Sequence, residues 1–309
     1  MGLITVTDFT RGAEASGPDA GPRYCQLLEE GHILFFPQTP FDLPENERAL
    51  LLTQRQVDAD YHKNVAYRPD RDEVIGFIKR SDVEAEQLRR IMRTYAQRVS
   101  QFFASLLWPY TPSWRLDYAS FRPQEEEGRQ LRPLARNDLL HVDAFPMRPT
   151  YGDRILRVFT NINPVKARRW IISDTAEVLI KRFAGSPGLP LPQPRGQSVW
   201  QQTRRSATRV ARALVGLPVI QRSPYDEFML RLHDYLKENN EFQTTCVKHR
   251  LDFPPGSTWV VFTDFVSHAA LAGQYALEQT FIIARESLLL PEKTPVNILE
   301  KMVGGPLTE

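Results

Sequence analysis

The chain has 309 residues, with 39 basic and 37 acidic side chains and a formal net charge of +2, so the strongly basic balance of a nucleic-acid binder is absent. Apolar residues make up 42 %, enough for a sizeable core, yet no apolar run reaches the ~18–20 residues of a membrane span. Two cysteines far apart, Cys25 and Cys246, read as free thiols in a reducing compartment. The first residues lack the basic and apolar regions of a secretory signal, so a cytoplasmic location is expected. The length suits one domain over residues 1–309 that carries an insertion.

In chain order, residues 10–23 are rich in Gly and Pro and read as a lead-in. Tyr24–Glu30 is a predicted helix ended by Gly31, Ile33–Phe36 a buried strand, and Leu43–Thr53 a second helix. Tyr61–Arg71 is polar and aromatic without periodicity, and reads as a loop. Asp82–Leu107 has apolar residues at helical spacing, from Leu88 and Ile91 to Phe103 and Leu106, and predicts a long amphipathic helix whose apolar stripe is core. Trp114–Arg122 alternates and reads as a strand, and the glutamates of Gln124–Gly128 read as a solvated turn.

The centre of the sequence is His141-Val142-Asp143, an imidazole and a carboxylate two residues apart. In a strand or at its end such residues point to one side, so both can reach one ion. The tripeptide alone is weak evidence in a chain with six histidines and 37 acids. The next stretch of chain adds weight: an alternating run, Arg154–Asn163, stopped by Pro164. Arg157, Phe159 and Asn161 share one face of that strand, and Leu156, Val158 and Thr160 the other. Next comes an insertion over about 165–250, with predicted helices at Thr175–Phe183, Ser198–Val215 and Tyr225–Glu238. The middle helix carries Arg204, Arg205, Arg209 and Arg212 without an acid; His233, on the third, is read as a poor candidate ligand. Beyond the insertion, Pro254-Pro255-Gly256 feeds a hydrophobic strand that delivers His268, and a final strand spans Tyr275–Ala284. His141, Asp143 and His268 then form a 2-His-1-carboxylate set, which leaves open positions on Fe(II). The order of these elements is that of a double-stranded β-helix: an α+β fold, mainly β at its core, a jelly-roll or cupin-like barrel with packed N-terminal helices and a helical insertion.

At these residues the chain resembles the Kdo hydroxylases, Fe(II)/2-oxoglutarate-dependent dioxygenases that hydroxylate C3 of a 3-deoxy-D-manno-oct-2-ulosonic acid (Kdo) residue on lipid A. The blocks that carry the likeness are His141–Pro146, Arg154–Pro164, Pro254–Val260, Ser267–Ala270 and Gly273–Phe281, with Tyr61–Asn64, Tyr67–Pro69 and Arg222–Asp226 beside them. The resemblance implies Fe(II), 2-oxoglutarate and O2, with ascorbate stimulatory, and a role in modifying the lipopolysaccharide inner core, Kdo to its 3-hydroxylated form. It implies Kdo-lipid A as partner, no nucleic acid, and a cytoplasmic enzyme that touches the inner face of the inner membrane.

Where many relatives place an arginine about ten residues after the distal histidine, this chain has Glu278 and Gln279. Arg157 is the expected partner of the distal 2-oxoglutarate carboxylate, with Arg285 as the competitor and Asn161, Gln279, Thr280 and Tyr118 as polar support. The expected substrate side is Lys63, Asn64, Tyr67, Arg68, Arg122 and Arg148. Two other readings compete: a non-catalytic β-helix protein that binds an anionic sugar or lipid, and another cupin-type metalloenzyme. A complete set of metal ligands argues against the first.

Overall fold

The computed structural model describes residues 2–6, 20–57, 64–194 and 220–308. The alternating stretches of the sequence become strands of two sheets. The larger has eight strands in the order β1 (Leu3–Thr5), β2 (Ile33–Phe36), β9 (Thr258–Phe262), β6 (Arg154–Asn161), β11 (Ala276–Ile283), β5 (Trp114–Arg122), β3 (Val65–Arg68) and β4 (Glu73–Ile75). The smaller has the order β10 (Val266–Ala272), β7 (Arg168–Thr175) and β8 (His249–Phe253). An antiparallel bridge between His141 and His268 ties the segment before β6 to the smaller sheet. This is the double-stranded β-helix expected from the element order, with the two sheets facing each other.

Along β6, Leu156 and Val158 join a core cluster with Leu88, Met92, Val99 and Phe103 of the long helix α3 (Asp82–Leu106). Ser81 caps α3 by accepting from the Glu84 backbone N–H. The opposite face of β6 turns inward between the sheets, where Phe159 packs on Trp170 and Trp259, and both tryptophans pack on Phe253. Two short N-terminal helices, α1 (Ala20–Glu29) and α2 (Glu45–Thr53), cover the same side as α3. In the insertion, α4 (Ala176–Phe183), α5 (Pro224–Glu238) and α6 (Asn240–Thr245) precede β8, and α7 (Pro295–Val303) closes the described chain. Ser223 and Asp226 form a capping box at the start of α5.

Four expectations change. Residues 165–250 are not purely a helical insertion: Arg168–Thr175 is β7, the middle strand of the smaller sheet and the partner of the His268 strand. Its alternation, with Arg168, Trp170 and Ile172 buried and Arg169 and Ile171 half-buried, is a strand signal that two leading arginines obscured. The run after Pro255 is two strands, β9 and β10, with a turn between them. Residues 65–71, part of the stretch read as a loop, supply β3 and the turn of the β3–β4 hairpin. The turn at Gln124–Gly128 is solvated only in part: Glu127 and Gly128 are exposed, but Glu126 is buried, ion-paired to Arg168 at 3.1 Å and hydrogen-bonded by Asn137. The predicted helix Ser198–Val215 lies outside the described residues, as do His62 and Lys63.

Candidate functional site

The segment 137–143 runs across the end of the smaller sheet and is held residue by residue. Asn137 O accepts from Ala270 N, His141 and His268 exchange both backbone hydrogen bonds, and Asp143 N donates to Thr263 O. From the other side, Gln243 of α6 both donates to Leu140 O and accepts from Leu140 N, acting as a one-residue strand partner. His233 of α5 holds Val142 O through Nδ1 at 2.8 Å, and its ring lies 4.9 Å from that of His141. Sequence alone assigned His233 no role; in the fold it fixes the residue between two candidate ligands.

The result is a buried cluster in which one ligand atom each from His141, Asp143 and His268 lies within 4.8 Å of the others. His141 Nε2 is 3.7 Å from Asp143 Oδ1, and His268 Nε2 is 4.0 Å from Asp143 Oδ2. Both imidazoles turn Nδ1 to a main-chain carbonyl, His141 to Leu139 O at 2.7 Å and His268 to Val266 O at 2.9 Å. A neutral imidazole bound this way donates from Nδ1 and leaves a lone pair on Nε2, the form a metal requires. Burial pushes both histidines down, His141 well below its ordinary range, so neither is charged at neutral pH. Burial alone would raise Asp143, but the Arg157 guanidinium overrides it and holds the carboxyl well below the usual range. A buried carboxylate between two bare imidazole nitrogens fits a divalent first-row metal with open positions.

Two cavities meet near this cluster. A small one, about 50 Å³, lies against His141, Asp143 and His268 and is also lined by Arg122, Asn137, Arg157, Phe159, Arg168 and Trp170. A larger one, about 540 Å³, is lined by Asn64, Ala66, Arg68, Tyr118, Ser120, Arg122, Arg148, Arg157, Glu278 and Thr280 among others. Arg122 and Arg157 line both cavities, and Glu278, which lines the large one, pairs with each of them. Glu278 Oε1 is 3.2 Å from Arg157 Nε, and Glu278 Oε2 is 3.2 Å from Arg122 Nε. Arg157 Nη1 lies 3.1 Å from Asp143 Oδ2. Burial would raise the Glu278 carboxyl, but these two arginines bring it down to about 2.

The sequence-predicted residues divide accordingly. Arg157, Thr280 and Tyr118 reach the large cavity together with Asn64, Arg68, Arg122 and Arg148. Three expectations are corrected. Asn161 is fully buried and spends its amide on Lys166 O and Phe253 O, so it braces a turn instead of facing a cavity. Gln279, one residue out of phase with Glu278 and Thr280, donates to main-chain oxygens of Asp117 and Thr280. Tyr67, out of phase with Ala66 and Arg68, points to the α3 side, where its hydroxyl meets Asp72. Arg285 lies beyond β11 and binds Asn297 and Glu300, away from both cavities. Arg154, the other arginine of β6, is not a surface residue but is buried against Asp264 at 2.7 Å.

The sequence reading missed Arg168. It is 1 % exposed, lines the small cavity, donates to Gly273 O at 2.9 Å and has Nε without a hydrogen-bond partner among the described residues. Gly273 has φ +119°, and a Cβ there would fall 2.8 Å from Arg168 Cα, so only glycine permits this approach. The signal was available: a buried arginine at an alternation-in position of β7 has to find an anion.

A family model described as 3-deoxy-D-manno-oct-2-ulosonic acid (Kdo) hydroxylase matches residues 12–306. Among solved structures, the apo form of the Kdo hydroxylase KdoO is 34 % identical, with a TM-score of 0.85 over 100 % of this chain and 98 % of that one. KdoO with α-ketoglutarate and Fe(III), also 34 % identical, gives a TM-score of 0.83 over 99 % of this chain and 97 % of that one. KdoO with cobalt(II) gives 0.84 at the same identity and coverage. A comparison with curated proteins finds no match.

Proposed function

The chain belongs to the 3-deoxy-D-manno-oct-2-ulosonic acid (Kdo) hydroxylases, and we propose that its reaction is hydroxylation of C3 of a Kdo residue on Kdo-lipid A. It is a non-heme Fe(II)/2-oxoglutarate-dependent dioxygenase. The observation that carries the site assignment is the pair of histidines whose Nδ1 atoms are tied to carbonyls while both Nε2 atoms face Asp143. His141, Asp143 and His268 would hold the iron. With 2-oxoglutarate and O2, bound Fe(II) supplies the oxidising power that replaces a C–H hydrogen by a hydroxyl as the cosubstrate becomes succinate and CO2.

The chain's own residues bind and orient. The small cavity, adjoining all three ligands, is the place for 2-oxoglutarate. Arg157 is already engaged by Asp143, so the nitrogen it offers lies close to the metal position. Arg157 and Arg168 both line this cavity with a buried Nε that has no hydrogen-bond partner among the described residues; Arg157 is drawn to Asp143 and Glu278, and Arg168, paired with neither, is assigned to the distal carboxylate. Phe159 and Trp170 keep water from this space, and Trp170 stacks on His268 at 5.1 Å. The large cavity takes the acceptor sugar, whose carboxylate meets the arginines at its inner wall.

No described helix is long and apolar enough to cross a membrane. Because the acceptor is a glycolipid, the enzyme works at the surface of the membrane that holds it, and the arginines at 204, 205, 209 and 212 supply the attraction to that surface. The test of the reaction is mass spectrometry of Kdo-lipid A incubated with the protein, Fe(II), ascorbate and 2-oxoglutarate. One added oxygen on the Kdo unit, dependent on 2-oxoglutarate, is the expected result. Succinate release with no change in the lipid would refute the acceptor.

A further inference from the structure

The large cavity holds four arginines in two separate settings. Arg122 and Arg157 flank Glu278 at its inner wall, beside the metal cluster. Arg68 and Arg148 instead share an aromatic ring: their guanidinium carbons lie 5.6 Å and 4.0 Å from the centroid of Tyr118. Arg148 is also 4.4 Å from the Phe145 ring. Each uses Nη1 on a neighbouring acid, Arg68 on Glu73 at 3.0 Å and Arg148 on Asp117. Arg68 Nε has no hydrogen-bond partner among the described residues.

A guanidinium stacked over a ring is held in orientation while its edge N–H groups stay free to donate. That is a suitable device for an anion, and the position of the two settings limits which anion. Arg68 is on β3 and Arg157 on β6, with β5 and β11 between them. Three strand spacings separate the two backbones by roughly 14 Å. Ala66, Ser120, Glu278 and Phe159 follow one another across those strands in register, so the row is continuous. One sugar carboxylate bonded at the inner wall therefore leaves the pair on Tyr118 facing a different part of the acceptor. Long solvent-directed arginines would need no explanation, but these are only about a third exposed and line the cavity itself.

We infer that Arg68 and Arg148, carried by Tyr118, form a second anion subsite, so that the preferred acceptor bears two anionic groups: the carboxylate of the reacting sugar acid and a further carboxylate or phosphate on the adjoining unit. This rests on the sugar-acid hydroxylation proposed above. It recasts Tyr118 as the base of an acceptor subsite instead of a cosubstrate contact.

The experiment compares kcat/KM for three acceptors with wild type, Arg68→Gln/Arg148→Gln and Tyr118→Leu. The acceptors are a methyl glycoside of Kdo with one carboxylate, a Kdo disaccharide with two, and Kdo linked to a phosphorylated glucosamine. Wild type is expected to favour at least one dianionic acceptor over the methyl glycoside by about 10- to 100-fold, the size of one charge-assisted contact. Which of the two is favoured identifies the second group as carboxylate or phosphate. In the double variant and in Tyr118→Leu that ratio collapses toward one, and Arg68→Lys/Arg148→Lys restores part of it. Equal wild-type use of all three acceptors overturns the inference, and so does a ratio that stays at its wild-type value in the variants. Failure of wild type on every acceptor, with 2-oxoglutarate still bound, overturns the hydroxylation reading and the subsite with it.

Discussion

Replacing Arg168 tests the assignment of the cosubstrate cavity, provided two consequences are kept apart. Arg168 is buried, bonded to Glu126 Oε1 at 3.1 Å and to Gly273 O at 2.9 Å, with its edge on the small cavity. In Arg168→Gln, Glu126 loses its buried counter-charge. Breaking a buried pair costs about 3–5 kcal/mol, and Asn137 and Arg129 beside Glu126 place this case toward the lower end. The second consequence concerns the ligand. A buried carboxylate that loses a charge-assisted, two-pronged partner loses on the order of 2–4 kcal/mol, a ~30- to 1000-fold rise in the KM for 2-oxoglutarate. The paired variant Arg168→Gln/Glu126→Gln separates them, because it removes the orphaned charge without restoring the guanidinium. Thermal unfolding should recover toward wild type in the pair, while succinate formation titrated with 2-oxoglutarate should still show the raised KM. A paired variant with the wild-type KM would refute the assignment, and a large rise in Arg157→Gln alone would move the role to Arg157.

His141→Ala, Asp143→Ala and His268→Ala should each abolish hydroxylation and lower iron content by elemental analysis while cooperative unfolding persists; full turnover in a folded His268→Ala would show the distal ligand misassigned. Burial and Lys237 hold His233 down at about 4 from an ordinary 6.5, so it is neutral in the folded metal-free protein and protonated in the unfolded chain below 6.5. The unfolded state then binds more protons, so stability falls as pH drops from 6.5 to about 4, and urea titrations of His233→Gln should show a shallower fall over that window. Changing Arg204, Arg205, Arg209 and Arg212 to Gln should weaken co-sedimentation with anionic liposomes at low salt; equal binding by both proteins would sink the membrane role of that segment.

Local sequence was enough to name the three side chains that the fold brings together, His141, Asp143 and His268, because a His-x-Asp needs only a strand-end geometry and His268 follows a turn and a hydrophobic run. It carried face assignments poorly wherever phase decided them. Tyr67 and Gln279 each sit one residue away from cavity-lining neighbours, and a strand turns such a step into the opposite face. Arg168 and Glu126 were lost for a different reason. Read singly, an arginine after a proline turn and a run of three glutamates look solvated; they become buried only because each is the other's partner, 42 residues apart. Pairing at that distance has no local signature.

The same logic explains Glu278, an acid about where many relatives of this fold carry a cation. The inner wall is an alternating series, Arg122, Glu278, Arg157, Asp143, with ion pairs at each step. Without Glu278, Arg122 and Arg157 would be like charges in a buried space, and Arg157 would lose one of its two restraints. With it, both guanidinium groups are fixed and Arg157 is held against the carboxylate that must orient a metal. Glu278 on β11 is thus flanked by cations on the neighbouring strands β5 and β6, and Arg168 on β7 of the other sheet lines the small cavity beside them. A cation near the metal is a property of the cavity and not of one strand position, which is why searching β11 alone could not find it.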